Sequence, residues 1–585
     1  MTRKRIVATI VALTSLLVAP PGRGVARAQL TTLTCPLFHA KLDAAVHDRI
    51  HNAPATTRIQ TIVRTPLGGL DAVVNVVPLL GARIDAVHTG ISALTLDIAV
   101  GSLATLASLS GVMSISLDAP LTESRSLAPG DVLAARAASD GTGGSVTHLR
   151  ETLGLDDRWT GAGVGVAVID SGLQPQSGFA GRVRDFRDFT GSNGTVRDDF
   201  GHGTHVAGLI GGAGTEDGLF QGVAPGVSFI VLKVLDANGY GRTSDVISAV
   251  EYATANKSSL GIDIINLSVG HPIYEPAASD PLVRAIEAAA RAGIVVVVSA
   301  GNYGSNAATG LPGYAGVTSP GNAASAITAG ALRTFGTTAR SDDRIAPYSS
   351  RGPTWIDGRV KVDVAAPGDK LIAAAATNST LYRDYPALHA GTGYLRLSGT
   401  SMAAGVISGV AALMIEANTA ISGGSRPRLT PNAIKAALQY TAFAVDTDEG
   451  PRADMLTVGA GAVNATGAIE WAAAIDTSRP VGERWVTTGL VRSTVLAGET
   501  LQWSESVLWD QSVVMGDTLD TNQPAWANAV VWGNAVVWGN AVVWGNAVVW
   551  GNTAVWSSAV VWGNQSLSGS GSNAVVWGNL YQIQP

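Results

Sequence analysis

Four short runs constrain the middle of this chain: GVAVI (Gly165 to Ile169), SFIVLKV (Ser228 to Val234), IDIINL (Ile262 to Leu267) and IVVVV (Ile294 to Val298). Each is apolar at nearly every position instead of every second one. A strand with one face in water alternates, whereas a strand covered on both faces reads as a near-continuous apolar run. Longer stretches of helical character lie between the runs, and the combination points to a parallel sheet between helix layers. Residues 147–475 are therefore expected as one α/β unit.

The remaining parts of the 585-residue chain flank that unit. Residues 1–28 have the plan of a secretory leader. Arg3, Lys4 and Arg5 come first, Ile6 to Ala19 form an apolar stretch, and Ala26-Arg27-Ala28 is a small-x-small cleavage site. The stretch falls short of the roughly 20 residues a spanning helix needs, so a secreted, extracellular protein is expected. Cys35 is the single cysteine and cannot form an internal disulfide, so it reads as an incidental thiol. Charged residues are 14% and the net charge is −6, with no basic footprint, which argues against a nucleic-acid partner.

Residues 55–121 form a second unit. Thr57 to Thr65 alternates like a strand, Leu70 to Leu80 has helical spacing, and Ala82 to Val100 carries two strand-like runs. A short helix (Ser102 to Leu109) and a last strand (Val112 to Leu117) complete a β-α-β-β-α-β order, an α+β, ferredoxin-like plan. Ala, Ser and Gly dominate 122–146, which reads as an exposed linker containing a processing region. A second linker is expected at 476–500, and a Trp-rich repeat tail at 501–585.

Three polar residues stand where core packing does not ask for them. Asp170 ends the strand GVAVID, and ligands in open α/β sheets are met at the carboxyl ends of strands; an Asp there can equally cap a helix. His202 lies in GHGTHVAG (Gly201 to Gly208), at the start of an apolar helical run, where the helix dipole suits a general base. His202 and His205 lack the spacing and the Glu of an HExxH metal pair, so His205 reads as structural. Ser401 lies in SGTSMAAG (Ser398 to Gly405), where it is either a helix N-cap or a nucleophile. A fourth motif, SAGN, puts Asn302 just after IVVVV.

Taken in order, the four motifs resemble those of the subtilisin-like serine proteases, over roughly Asp156 to Ala474. The Asp–His–Ser chain order is the one already known for subtilisin. INLSVG (Ile265 to Gly270), YSSRGPT (Tyr348 to Thr354) and DVAAPG (Asp363 to Gly368) agree with the same family. The resemblance implies a self-processing zymogen of a serine endopeptidase. Ser401 would be its nucleophile, His202 its general base, Asp170 the residue that orients the imidazole, and Asn302 an oxyanion donor. It also implies that Ser268, Val269 and Gly270 pair with substrate backbone, and that Ser299, Ala300 and Gly301 line the pocket before the cut. These last are small and uncharged, so a preference for medium or large apolar side chains is expected there. Substrates would be proteins or peptides. Residues 29–54 and 55–121 would be a pro-segment and an inhibitory propeptide, removed by a cut between about Asp118 and Val146.

Two departures stand out. Gly405 and Val406 follow SMAA where the family usually has Pro, then often His. The family's calcium loop is hard to recognise in GGAGTEDGLFQG (Gly211 to Gly222). No cofactor is needed for the chemistry; a structural calcium fits the resemblance, but no ligands are assigned.

The tail carries AVVWGN in four identical copies from Ala529 to Asn552. Gly and Asn at every sixth position exclude a spanning helix. A meander of hairpins with Gly-Asn turns, a hexapeptide solenoid and disorder remain, with repetitive β-structure the expectation. No Asp, Glu, Lys or Arg follows Asp520, so a surface- or polymer-attachment role is expected for the tail. The competing reading of the whole protein is a catalytically silent scaffold carried by that tail.

Overall fold

The structure, a computed structural model, describes residues 40–123 and 149–527 apart from 192–193, 216–218, 307–308, 449 and 510–511, and beyond 527 only the strands given below. The expected leader, Cys35 and nearly all of the expected 122–146 linker lie outside the described residues.

The first unit opens with a helix, Ala44–Asn52, followed by β1 (Arg58–Arg64), a one-turn helix (Leu70–Val74), β2 (Arg83–His88), β3 (Ala93–Ala99), a helix (Leu103–Ser108) and β4 (Ser114–Leu117). The strands pair antiparallel in the order β2-β3-β1-β4. Successive side chains of a strand point to opposite faces, and the sequence uses both faces here. Leu94, Leu96 and Ile98 join Val63, Leu103 and Leu106 in the unit's own core. Ile62 and Ala93 point the other way, into a core shared with the next unit.

The next short strand, β5 (Pro120–Glu123), leaves this sheet altogether. It lies antiparallel between β9 (Tyr240–Arg242) and β11 (Val269–Gly270), with Thr122 opposite both Tyr240 and Gly270. The linker expected from Thr122 therefore starts later, because Thr122 and Glu123 find strand partners only in the folded pair of units.

The second unit contains β6 (Gly165–Asp170), β7 (Val183–Asp188), β8 (Ser228–Lys233), β10 (Ile264–Leu267), β12 (Val295–Ser299) and β13 (Ile327–Arg333), all parallel in the order β7-β8-β6-β10-β12-β13. At the far edge, β13 also pairs with β14 (Arg344–Ile345) and β15 (Val364–Pro367). The four apolar runs are β6, β8, β10 and β12, each buried along nearly its whole length. One face is covered by helices Thr243–Ala255 and Pro281–Arg291, the other by helices His202–Gly211, Thr400–Ile421 and Pro431–Tyr440. After β6 the chain builds outward on one side (β8, β7), then returns to the other side through β10. The carboxyl end of β6 is thus a switch point of the kind where open α/β sheets meet ligands.

Helix Thr400–Ile421 is the one described helix long and apolar enough to cross a membrane, but it is buried inside this unit as its core helix. The unit also reaches further along the chain than expected. Trp485, Trp503 and Trp526 are buried in the same core as Trp471. Trp471 and Trp485 meet edge to face at 5.8 Å, and the Trp503 indole N–H donates to Thr494 Oγ1 at 2.9 Å. The stretch taken as a 476–500 linker and the first part of the 501–585 tail are therefore packed structure.

Beyond 527 the described strands pair in parallel. Val536–Trp538, Ala547–Trp550, Ala559–Trp562 and Val575–Trp577 form one sheet, and Ala541–Val543, Thr553–Val555, Gln565–Leu567 and Leu580–Gln582 form another. Each hexad of the regular part pairs with the one twelve residues on, Val536 with Val548 and Trp538 with Trp550. A hairpin meander would pair adjacent hexads antiparallel. These strands instead alternate between two sheets, as in a two-sided solenoid.

Candidate active site

Asp170 is the last residue of β6 and is fully buried. Both of its carboxylate oxygens face His202 Nδ1, at 2.8 and 3.0 Å, and Oδ1 also accepts the Ser171 N–H at 2.7 Å. A carboxylate on Nδ1 puts the imidazole proton there and leaves Nε2 as the basic nitrogen. The two residues are 32 apart in sequence, and the strand end and the helix start bring them together.

His202 opens helix His202–Gly211. The glycines beside it are required by space. Gly201 has φ +108°, and a Cβ there would fall 2.3 Å from Ser379 Oγ; a Cβ on Gly203 would fall 2.3 Å from the Gly172 carbonyl. With no side chain at either position, the helix end can approach the β6 turn closely enough for the Asp170 contact.

A residue that sequence reasoning missed fixes that helix end. Asp198 Oδ1 accepts from Gly201 N (2.7 Å) and Ser171 Oγ (2.8 Å), while Oδ2 accepts from Thr204 N (2.8 Å) and Thr204 Oγ1 (2.6 Å). Ser171 Oγ in turn accepts the Gly203 N–H at 2.8 Å. Asp198 satisfies N–H groups that a helix start otherwise leaves unpaired. The available signal was an Asp just before a helix whose N-cap is Gly, with Thr204 downstream. His205, by contrast, faces the carbonyls of Leu371 and Leu395 and lies in the packed interior.

Ser401 is the second residue of helix Thr400–Ile421, entered through Gly399. Its Oγ donates to the Ser268 carbonyl at 3.3 Å. Ser268 Oγ, buried, donates back to the Ser401 carbonyl at 3.3 Å, and Asn266 Nδ2 donates to Ser268 Oγ at 3.1 Å. Asn302 follows β12. Its Oδ1 accepts from Thr400 N (3.0 Å) and Thr400 Oγ1 (3.1 Å), which turns Nδ2 toward the Gly399–Ser401 turn. A Cβ placed on Gly399 would come within 3.4 Å of that Nδ2. Thr400 was a second omission from the sequence reading; it also accepts the Gly301 N–H on Oγ1 at 3.1 Å.

Asp170 and His202 thus meet where β6 ends and one helix starts, and Asn302, just after β12, bonds at the start of the helix that carries Ser401. Val269 and Gly270 form the strand edge beside them, already paired with β5. Ser299, Ala300 and Gly301 are buried behind Asn302; the Ala300 and Gly301 carbonyls accept from Thr318 N and Ser350 N. A buried imidazole with a carboxylate on Nδ1 can act as a base through Nε2, and an amide N–H beside a helix start can serve a developing oxyanion.

A family model described as the subtilase family matches residues 161–465. The chain belongs to the subtilase family. It is 36% identical over 334 residues to serine protease AprX of Bacillus subtilis (strain 168), covering 56% of this chain and 71% of that one. It is 32% identical over 370 residues to the extracellular serine proteinase of Thermus sp. (strain Rt41A), covering 62% and 74%. The fold is shared with the crystal structure of fervidolysin from Fervidobacterium pennivorans, at TM-score 0.52 and 21% identity over 72% of this chain and 62% of that one. This subtilase is accordingly a serine endopeptidase, a hydrolase of protein or peptide substrates.

Among the described residues, no group of three or more His, Cys, Asp or Glu side chains could hold a metal ion. Glu216 and Asp217 lie outside those residues, and no step below runs through a metal.

Proposed function

We propose that this subtilase cleaves peptide bonds through Ser401, His202 and Asp170, with Asn302 and the Ser401 N–H as the oxyanion site. The reading rests above all on the Asp170 carboxylate at Nδ1 of a buried His202. His202 Nε2 takes the Ser401 proton as Oγ attacks the scissile carbonyl, and returns it to the leaving amine. Asp170 holds the tautomer and balances the imidazolium charge. Substrate backbone adds as a strand to Val269–Gly270, and the pocket at Ser299, Ala300 and Gly301 takes apolar side chains. Profiling with a peptide library checks that preference, and dominance of Lys or Arg before the cut would overturn it.

Labelling with a fluorophosphonate tests the site itself. The wild type is expected to label and Ser401→Ala not to. A wild type that neither labels nor processes itself would leave the silent-scaffold reading. Asn302→Ala is expected to lower kcat by about 10²–10³, the loss known for this kind of donor in subtilisin.

The protein is made as a secreted zymogen whose leader is residues 1–28 and whose inhibitory unit ends in β5. Pro120–Glu123 occupies the strand position a substrate would take, with Leu121 fully buried, which supports an inhibitor occupying its own enzyme's cleft. Glu123 pairs with Val269 and Thr122 with Gly270, so each further residue moves the chain toward Ser268 and Ser401. The activating cut therefore falls C-terminal to Glu123, which narrows the range read from sequence. Sequencing the mature N-terminus checks this, and a start before Ser124 would refute it.

A further inference from the structure

The two units meet over helices Thr243–Ala255 and Pro281–Arg291, and acidic groups gather at the start of each. At the first, Asp118 accepts from Ser244 N and Ser244 Oγ, both at 2.8 Å, and Asp245 lies one residue further along the helix. Facing Asp245 are Asp118, Arg242 and His88. Glu251, on the same helix, accepts the Gly90 N–H at 2.7 Å and lies 3.7 Å from His88 Nδ1.

At the second helix, Asp280 caps the N-terminus through Leu282 N and Val283 N and accepts from Ser319 Oγ at 2.7 Å. Asp43, from the other unit, accepts from Val46 N and Leu117 N, both at 2.6 Å. Glu275 lies near both, and beside it the Ala44 N–H donates to the Tyr274 carbonyl across the interface at 3.1 Å. Asp43, Glu275 and Asp280 are 4%, 7% and 2% exposed. The cationic and imidazole groups around them are Arg64, whose Nη1 donates to the Ser279 carbonyl, Arg284 and His271.

Asp43 and Asp118 belong to the N-terminal unit, while Asp245, Glu275 and Asp280 belong to the catalytic one. Docking therefore brings Asp118 to Asp245, and Asp43 to the Glu275 and Asp280 pair already present in the catalytic unit, and closes a water-poor seam over them. We propose that docking of the N-terminal unit takes up protons at these two acid clusters, so that the inhibitor is held tightly in acid surroundings and released as they turn alkaline. The inference rests on the zymogen reading above.

The direction follows from linkage. Burial, with a neighbouring carboxylate adding to it, pushes Asp245 up to about 7 and Glu275 well above the usual glutamate range. Burial also raises Asp43 and Asp118. Once the units part, these groups regain water and lose the other unit's carboxylates, so their values fall toward the ordinary carboxylate value of about 4, while Glu275 keeps Asp280 as a neighbour. A group whose docked value is raised favours docking fully below its free value and loses that contribution as pH rises through the docked value. Asp245 alone then weakens docking about tenfold between pH 6 and pH 9, and Glu275 extends the loss toward the alkaline end.

The test uses the full chain as Ser401→Ala, so that nothing depends on its own activity, with a site for an unrelated sequence-specific protease placed within 124–148. After cutting there, the Kd between the two pieces is measured by analytical ultracentrifugation from pH 6 to pH 9. It is expected to rise at least about tenfold. Glu275→Gln with Asp245→Asn should reduce that rise to less than about twofold, and His88→Gln should leave it in place. A Kd that stays within about twofold, an equal rise in the double amide variant, or a rise abolished by His88→Gln would overturn the proposal. Pieces that part at every pH would overturn the inhibitory-unit reading, and this inference with it; pieces that stay together with a pH-independent Kd would overturn this inference alone.

Discussion

Asp198 touches neither Asp170 nor the reacting atoms in any contact described above, yet it accepts four hydrogen bonds that set where His202 begins its helix. Replacing a capping Asp by Ala ordinarily costs about 0.5–2 kcal/mol. Here the change also leaves buried donors on Gly201 and Thr204 without their acceptor, at about 1–3 kcal/mol for an unmade buried hydrogen bond. Asp198→Ala is expected to lower the midpoint of thermal unfolding and to reduce kcat more than it raises KM, because the imidazole loses its fixed position. Equal kcat in a folded variant would show that Asp170 alone holds the ring. Asp170, His202, Asn302 and Ser401 stand out in the sequence because each sits in a short pattern of small residues beside an apolar run. Asp198 and Thr400 were not, since an Asp before a helix or a Thr beside a Ser is ordinary in sequence. Their roles exist only once two segments have met.

At the scale of elements, helix Thr400–Ile421 shows both how the sequence encodes packing and how it departs from the family pattern. Its residues are apolar on all sides because it is covered by helices His202–Gly211 and Ala465–Ala474 and by the sheet. Gly405 falls in its second turn, and a Cβ there would meet Val206 and Leu209 at no less than 3.4 Å, an ordinary contact. Gly405→Ala is therefore expected to stabilise the protein by about 0.4–1 kcal/mol through the unfolded chain, with activity unchanged. A drop in the unfolding midpoint would mean that the helix packing needs the closer approach. Strands β6, β8, β10 and β12 were readable because burial on both faces removes alternation. Strand β5 was not, because four residues form a strand only where β9 and β11 already wait on either side. Trp503 misled for a related reason: it lies six residues before Trp509, a spacing that looks like the repeat until packing assigns Trp503 to a core.

At the scale of the whole molecule, buried indoles decide where the chain can be shortened. Trp503, Val507, Leu519 and Trp526 are all buried in the catalytic core, so ending the chain before Trp503 strips that surface. Losing a single buried Trp costs about 3–5 kcal/mol, and the truncated protein is expected to unfold or aggregate. Removing only 533–585 should leave the thermal midpoint and peptide hydrolysis unchanged. A fall in both after the shorter deletion would show that the repeat supports the enzyme. Comparing the two deletions also tests the attachment role expected of the tail from its sequence, because only the shorter one removes the repeat from an intact core.

The twelve-residue step in the tail turns its length into a counted quantity. Each hexad joins the sheet its predecessor does not, so deleting one AVVWGN sends every later strand to the opposite sheet, whereas deleting two restores the arrangement. Neighbouring strands in a sheet lie about 4.7–4.9 Å apart, so a pair of hexads is a gauge block of that height. A tail of this kind can grow or shrink in whole blocks without redesign, and the height of its stack is set by how many pairs the chain carries.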